Sequence, residues 1–178
     1  HDSNILFVPA RNLAAYAARA TGRPLLVPRS SFFVPRSSSG IIPWEGFCYV
    51  HASFRATDVA CARKEHPDAF IVVHPECTLE VIDAADAVAS TSGMARLARE
   101  HGEIVLGTEA GMCDRIRRDS PGTKCWPLRR TALCANMKLT RLADVRAALE
   151  GAVPEVVVPE PVATRARLAL DRMLAVVS

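Results

Sequence analysis

The sequence predicts an α/β protein whose parallel sheet is covered by helices. Three observations carry this. From Thr57 onward, short apolar runs alternate with helical stretches across short connections, the pattern of strand–helix–strand crossovers. Residues 69–73 (Ala-Phe-Ile-Val-Val) form an apolar run of buried-strand length that ends on His74. With 49% hydrophobic and 23% charged residues in 178, the chain is globular and long enough to bury a core.

The elements follow in order. Asn4 to Val8 is an apolar run stopped by Pro9, and Leu13, Tyr16, Ala17 and Ala20 then recur at helical spacing up to Gly22, giving a strand at 4–8 and a helix. Residues 24–27 predict a second strand. Val-Pro-Arg-Ser-Ser then occurs twice, at 27–31 and 34–38, and with Ser39, Gly40 and Pro43 it predicts an exposed Pro/Ser-rich loop over 28–43. Thr57 is placed to cap a helix running to Glu65, which Pro67 ends. After the strand at 69–73 the pattern predicts helix 76–84, strand 86–89, helix 92–101, strand 103–107, helix 110–118 and a short strand at 124–126. Helix 140–150, a short strand around Val156 and a terminal helix over 161–174 complete the chain.

Composition narrows the function classes. A net charge of +3 with scattered arginines (Arg96, Arg99, Arg115, Arg117, Arg118, Arg129, Arg130) describes a solvated surface rather than a nucleic-acid arm. No uninterrupted apolar run reaches membrane-spanning length and the N-terminus lacks a leader pattern, so no membrane partner and a cytoplasmic location are expected. The first residue is His1 rather than Met, which suggests a fragment. The six cysteines (Cys48, Cys61, Cys77, Cys113, Cys125, Cys134) form no paired framework, so each is a buried apolar residue or a soft metal ligand.

Open parallel sheets bind ligands beyond the carboxyl ends of their strands. Three motifs fall there: His74-Pro75-Glu76, Ser90-Thr91 and Thr108-Glu109 each stand between a strand and a helix. Free N–H groups and the helix dipole at such positions favour carboxylate or phosphate. The alternative is that Ser90, Thr91 and Thr108 are helix caps. Taken alone, Cys48-x-x-His51 and His74-x-x-Cys77 offer two thiolates and two imidazoles, a set that suits a tetrahedral zinc site. Against it, structural zinc ligands usually sit on knuckle-like turns, whereas His74 follows a buried strand.

Four blocks in order, Trp44-Glu45-Gly46-Phe47-Cys48-Tyr49-Val50-His51, His74-Pro75-Glu76-Cys77, Ser90-Thr91-Ser92-Gly93-Met94 and Cys134-Ala135-Asn136-Met137-Lys138, with Thr108-Glu109-Ala110-Gly111-Met112 between the last two, resemble quinolinate synthase. The resemblance implies three-layer αβα domains with parallel sheets in a pseudo-threefold arrangement, incomplete here. Residues 1–65 would be the end of a second domain and 66–178 a third. It also implies a [4Fe-4S] cluster held by one cysteine per domain, matched here by Cys48 and Cys134. The third thiolate belongs to the first domain and has no counterpart in this chain. Three thiolates for four irons leave one iron open as a Lewis acid.

The substrate residues implied are His74, Pro75, Glu76, Ser90 and Thr91. Glu76 would move protons, His74 would orient the substrate, Thr91 would hold a carboxylate, and His51 would support the site from outside the ligand shell. The implied reaction is a transferase step of NAD biosynthesis that condenses iminoaspartate with dihydroxyacetone phosphate to quinolinate, with L-aspartate oxidase as the supplier of iminoaspartate. The chain departs from the family in three respects. It lacks the first domain and the Tyr-x-Asn segment and serine of the early second domain; it carries the 28–43 stretch as an insertion; and it has Pro9-Ala10 where the family has Pro-Asp.

Two rival readings are a truncated, inactive remnant, and a zinc protein using Cys48, His51, His74 and Cys77. Three geometric expectations follow. Cys48 and Cys134 lie near one another; Cys77 points into packing rather than joining a four-residue zinc set; and the strands at 4–8 and 25–27 leave an unpaired, apolar edge.

Overall fold

The computed structural model describes residues 4–26 and 39–177. Two compact units are present, residues 1–134 and residues 135–178.

The first unit opens with strand β1 (Ile5–Phe7) and helix α1 (Arg11–Thr21), close to expectation. The second strand is displaced from its expected place. Residues 24–26 contribute only a bridge from Leu25 to Ile41, while strand β2 forms at Ile41–Pro43, inside the stretch read as loop. Ile41 is the reason: it is 3% exposed, packs against Ala14 and Ala18 of α1, and pairs in parallel with Ile5. Its backbone also bonds to residues 24–26 through Ile41 N–H to Pro24 O at 2.9 Å and Leu26 N–H to Ile41 O at 2.7 Å. The Val-Pro-Arg-Ser-Ser repeat lies outside the described residues. On β1, Leu6 is 62% exposed, and the two-stranded sheet has no further partner strand among the described residues.

A single turn, α2 (Tyr49–Ala52), precedes α3 (Ala56–Glu65). Thr57 does not cap α3. Arg55 occupies the cap position, and the Asp58 carboxylate reaches back to accept its N–H at 2.8 Å.

The main sheet contains β3 (Phe70–Val73), β4 (Ala87–Val88), β5 (Glu103–Gly107) and β6 (Lys124–Pro127), all parallel, in the order β4-β3-β5-β6. Between them run α4 (Leu79–Ala84), α5 (Thr91–His101) and α6 (Gly111–Asp119). Side chains alternate across a strand, and this sheet shows it. Ile71, Val73 and Val105 face one core with Val59 and Ala62 of α3 and Val81 and Ile82 of α4. Val72, Ile104 and Leu106 face a second core with Met94 and Ala98 of α5 and Met112 and Ile116 of α6. Helices therefore cover both faces, giving the three-layer αβα arrangement. Each fully buried aliphatic side chain contributes about 1.5–3 kcal/mol.

Strand order fixes where a ligand can enter. From β3 the chain crosses one way to β4, then returns past β3 to β5 on its other side, so the crossover direction reverses between β3 and β5. Beyond the carboxyl ends of two such strands the connections diverge and leave a crevice. His74 and Thr108 are the residues that follow them.

The second unit holds a 3-10 turn at Met137–Leu139, helix α7 (Leu142–Leu149) and helix α8 (Glu160–Val177). The strand expected around Val156 is absent: no neighbour pairs with it among the described residues, Pro154 and Pro159 remove donors on either side, and Val156 is 88% exposed. Among the described residues, no helix is long and apolar enough to cross a membrane.

Candidate functional site

The short helix α2 presents the first group. Cys48 stands at its N-cap, and three residues later His51 falls on the same side of the turn, 8% exposed. The approach to this turn explains Gly46 of the Trp-x-Gly-x-Cys block. A Cβ there would collide with the Pro9 carbonyl oxygen, while the Gly46 carbonyl accepts the Arg11 N–H at 2.9 Å, docking the block on the start of α1. The exit from α2 is pinned by Arg129, whose guanidinium donates to the Ser53 carbonyl at 3.1 Å and to the Ser53 hydroxyl, and lies 5.3 Å from the ring centre of buried Phe54. Arg129 therefore leaves the set of solvated arginines in which composition placed it.

The second group comes from the turn after β3. The helix expected from residue 76 begins only at Leu79, because residues 74–77 close a turn through the Cys77 N–H and the His74 carbonyl at 2.9 Å. The turn brings Glu76 back over His74, whose Nδ1 accepts the Glu76 N–H at 3.3 Å. Asn12 of α1 donates from Nδ2 to the Glu76 carbonyl at 3.0 Å, holding the turn from outside.

His51 joins the groups. Its Nδ1 lies 2.9 Å from Glu76 Oε2 and its Nε2 lies 2.9 Å from Thr108 Oγ1. A carboxylate accepts, so Nδ1 carries the proton; Nε2 of the neutral ring then accepts from the Thr108 hydroxyl. Burial lowers the His51 pKa, against the Glu76 hydrogen bond and charge, which raise it. The His74 ring stacks on His51, and burial followed by the repulsion of His51 brings its pKa down from 6.5 to about 4. Both rings are therefore neutral near pH 7.

Thr108 is thus not the helix cap offered as its alternative. The N-cap of α6 is Ala110, which makes no side-chain cap bond, and Glu109, one residue before it, accepts the Gly111 N–H through Oε2 at 2.7 Å. Ser90 does cap α5, its Oγ accepting the Gly93 N–H at 3.3 Å, and Ser90 and Thr91 are exposed at the end of β4, beside β3. Pro75 is partly buried in the turn between His74 and Glu76.

Cys48, His51 and Glu76 have donor atoms all within 4.8 Å of one another, a three-ligand group of thiolate, imidazole and carboxylate. Cys134 is half-buried and packs against the same core cluster as Cys48, and the Tyr49 hydroxyl donates to the Leu133 carbonyl at 3.4 Å, tying the neighbours of the two cysteines together. Cys77 stands apart from the donor group. It is fully buried, its thiol points at the Gly107 carbonyl 3.7 Å away, and burial pushes its pKa up to about 12, which suits packing rather than a thiolate ligand. Cys61 is exposed, and Cys113 and Cys125 lie in the core on the other face of the sheet.

Sequence reasoning missed Asn12 and Arg129 as parts of this site, and it placed Thr108 at a ligand-side strand end with a helix cap as the alternative. Neither Asn12 nor Arg129 left a local signal, since each acts on a partner far away in sequence.

Fold and site together define an α/β protein in which thiol, imidazole and carboxylate groups gather in a crevice at the switch point of a parallel sheet. A family model described as Quinolinate synthetase A protein (NadA) matches residues 1–175. A protein named Quinolinate synthase from Methanoregula boonei is 45% identical over 176 residues, 98% of this chain and 53% of that protein. Proteins of the same name from Desulforudis audaxviator and Pyrococcus furiosus are 43% and 41% identical, over 98% and 96% of this chain. The chain belongs to the quinolinate synthase family. It spans about half the length of the curated relatives it matches.

Proposed function

We propose that this chain supplies the end of the second and the whole of the third α/β domain of a quinolinate synthase, which condenses iminoaspartate with dihydroxyacetone phosphate. The observation that carries the reading is the convergence of Cys48, His51 and Glu76 beyond the ends of β3 and β5, where a substrate would enter. The donor chemistry fits an iron–sulfur cluster: thiolates are its usual ligands, and Cys48 and Cys134 border one core on the crevice side. These two would be this chain's ligands to a [4Fe-4S] cluster. When bound, such a cluster supplies a Lewis-acidic iron.

The chain's own groups have separable roles in this reading. Glu76 accepts a proton from bound substrate, with the His51 N–H holding its carboxylate in place. The Glu76 carboxylate fixes the His51 tautomer, and the Thr108 hydroxyl donates to the remaining ring nitrogen and steadies the ring. His74 stacks on His51 and orients substrate as a neutral ring, while Ser90 and Thr91 at the start of α5 receive a substrate carboxylate. The enzyme would act in the cytoplasm and take iminoaspartate from L-aspartate oxidase.

The test joins this chain to the N-terminal portion of the Methanoregula boonei relative. Reconstituted anaerobically with iron and sulfide, the joined protein is expected to form quinolinate from the two substrates. A joined protein that retains iron yet makes none overturns the reading.

A second reading is favoured by the three-donor group: a mononuclear zinc ion on Cys48, His51 and Glu76, with Cys77 excluded. It requires stoichiometric zinc and no iron in the purified protein.

A further inference from the structure

We propose that Cys113 and Cys125 form an oxidisable dithiol that a peroxide closes into a disulfide, stapling α6 to strand β6. Both residues lie in the core packed by α5 and α6, across the sheet from the core that Cys48 and Cys134 border. Their exposures are 1% and 3%, and the Cys125 thiol donates to the Cys113 sulfur at 2.7 Å. Closure to a bond of about 2.05 Å therefore asks for less than about 1 Å of movement.

The surroundings decide how the pair reacts. The Cys125 hydrogen bond and then burial raise the Cys113 pKa, so the closed core holds a protonated thiol that oxidants reach slowly. Access comes from the side of β6, which pairs with β5 on one side and with no other strand among the described residues. Arg117, whose guanidinium donates to the Cys125 carbonyl at 2.7 Å, is the cation placed to favour a thiolate once that edge opens.

The chemistry balances with hydrogen peroxide as the oxidant. One sulfur, its proton released, attacks a peroxide oxygen; the O–O bond breaks, giving a sulfenic acid and a hydroxide that takes up the proton as water. The second sulfur attacks the sulfenic sulfur, the S–O bond breaks, and the departing hydroxide leaves as a second water with the second thiol proton. Two thiols lose two protons and two electrons, and the peroxide receives both. The disulfide closes a loop between residues twelve apart, which constrains the unfolded chain.

The test uses the full 178-residue chain. After peroxide treatment and alkylation of free thiols, trypsin cuts between the two cysteines at Arg115, Arg117, Arg118 and Lys124, so only a disulfide keeps them in one product. The expected result is that linked product, lighter by two hydrogens than the paired thiol peptides. A rise in Tm of about 5 °C or more, reversed by dithiothreitol, should accompany it. Cys113→Ala and Cys125→Ala should each abolish the rise; if either fails to fold, the peptide map of the unmodified chain decides alone. Recovery of both cysteines alkylated, as sulfinic acids, or linked to a different cysteine overturns the proposal.

Discussion

The rings of His51 and His74 stack with centroids 4.2 Å apart and planes 8° from parallel. Two imidazoles this close cannot both carry charge cheaply, and His51 is buried and His74 half-buried at the end of the sheet. The folded protein consequently keeps protons off both rings at pH values where the unfolded chain takes them up.

Stability should therefore fall with acidification. Because the folded His74 pKa is depressed from 6.5 to about 4, its contribution is fully present above about pH 6.5 and is lost as pH drops toward 4. Urea midpoints at pH 7.5 and pH 5 measure this, and His74→Asn should shrink the difference. An equal drop in the unmodified chain and the variant would remove His74 as its source.

Thr108→Val should leave His51 Nε2 buried without its donor. The expected cost is about 1–3 kcal/mol of stability. In the joined enzyme activity should fall about tenfold or more, as the loss of one positioning hydrogen bond implies. Denaturation curves and an assay read the two effects separately.

Glu76→Gln in the joined enzyme tests proton transfer directly. It keeps the side chain's size and an acceptor oxygen for His51, but not the base, so turnover should fall by about a hundredfold or more. Iron content should be unchanged. Activity within a factor of a few of the parent would take Glu76 out of the chemistry.

Arg129→Met should loosen the turn that carries His51, because it deletes both bonds to Ser53 while keeping an apolar stem over Phe54. A loss of about 1–3 kcal/mol is expected by thermal or chemical denaturation. A surface arginine would cost less than about 0.5 kcal/mol.

Much of this architecture was legible in the chain because its strongest signals are local. The run that became β3 is apolar along its whole length and β5 is apolar after Glu103, and alternation with helical stretches implies parallel neighbours. β2 escaped notice because two isoleucines between Gly40 and Pro43 give too short a run to outweigh the Pro/Ser-rich context. The site was legible where a motif named it, at Cys48, His74 and Glu76. It was hidden where the role depends on distant partners. Thr108 looks like a cap until β5 is set beside β3, and Arg129 looks like surface until it meets Ser53, 76 positions earlier.

Gly107 marks where these two levels of organisation meet. A Cβ on it would stand 2.5 Å from Val73 Cγ1, so β5 can lie against β3 with Val73 opposite only because residue 107 has no side chain. That pairing brings His74 and Thr108 out of the sheet level with each other, and His51 spans the gap between Glu76 and Thr108 with one atom of reach on each side. A slip of two residues would move one strand end by about 6.6 Å, far beyond either hydrogen bond. The sheet thus acts as a ruler for the chemistry, and substitutions at Val73 or Gly107, each one residue inside the sheet from His74 or Thr108, should be inherited as changes in the spacing of the site.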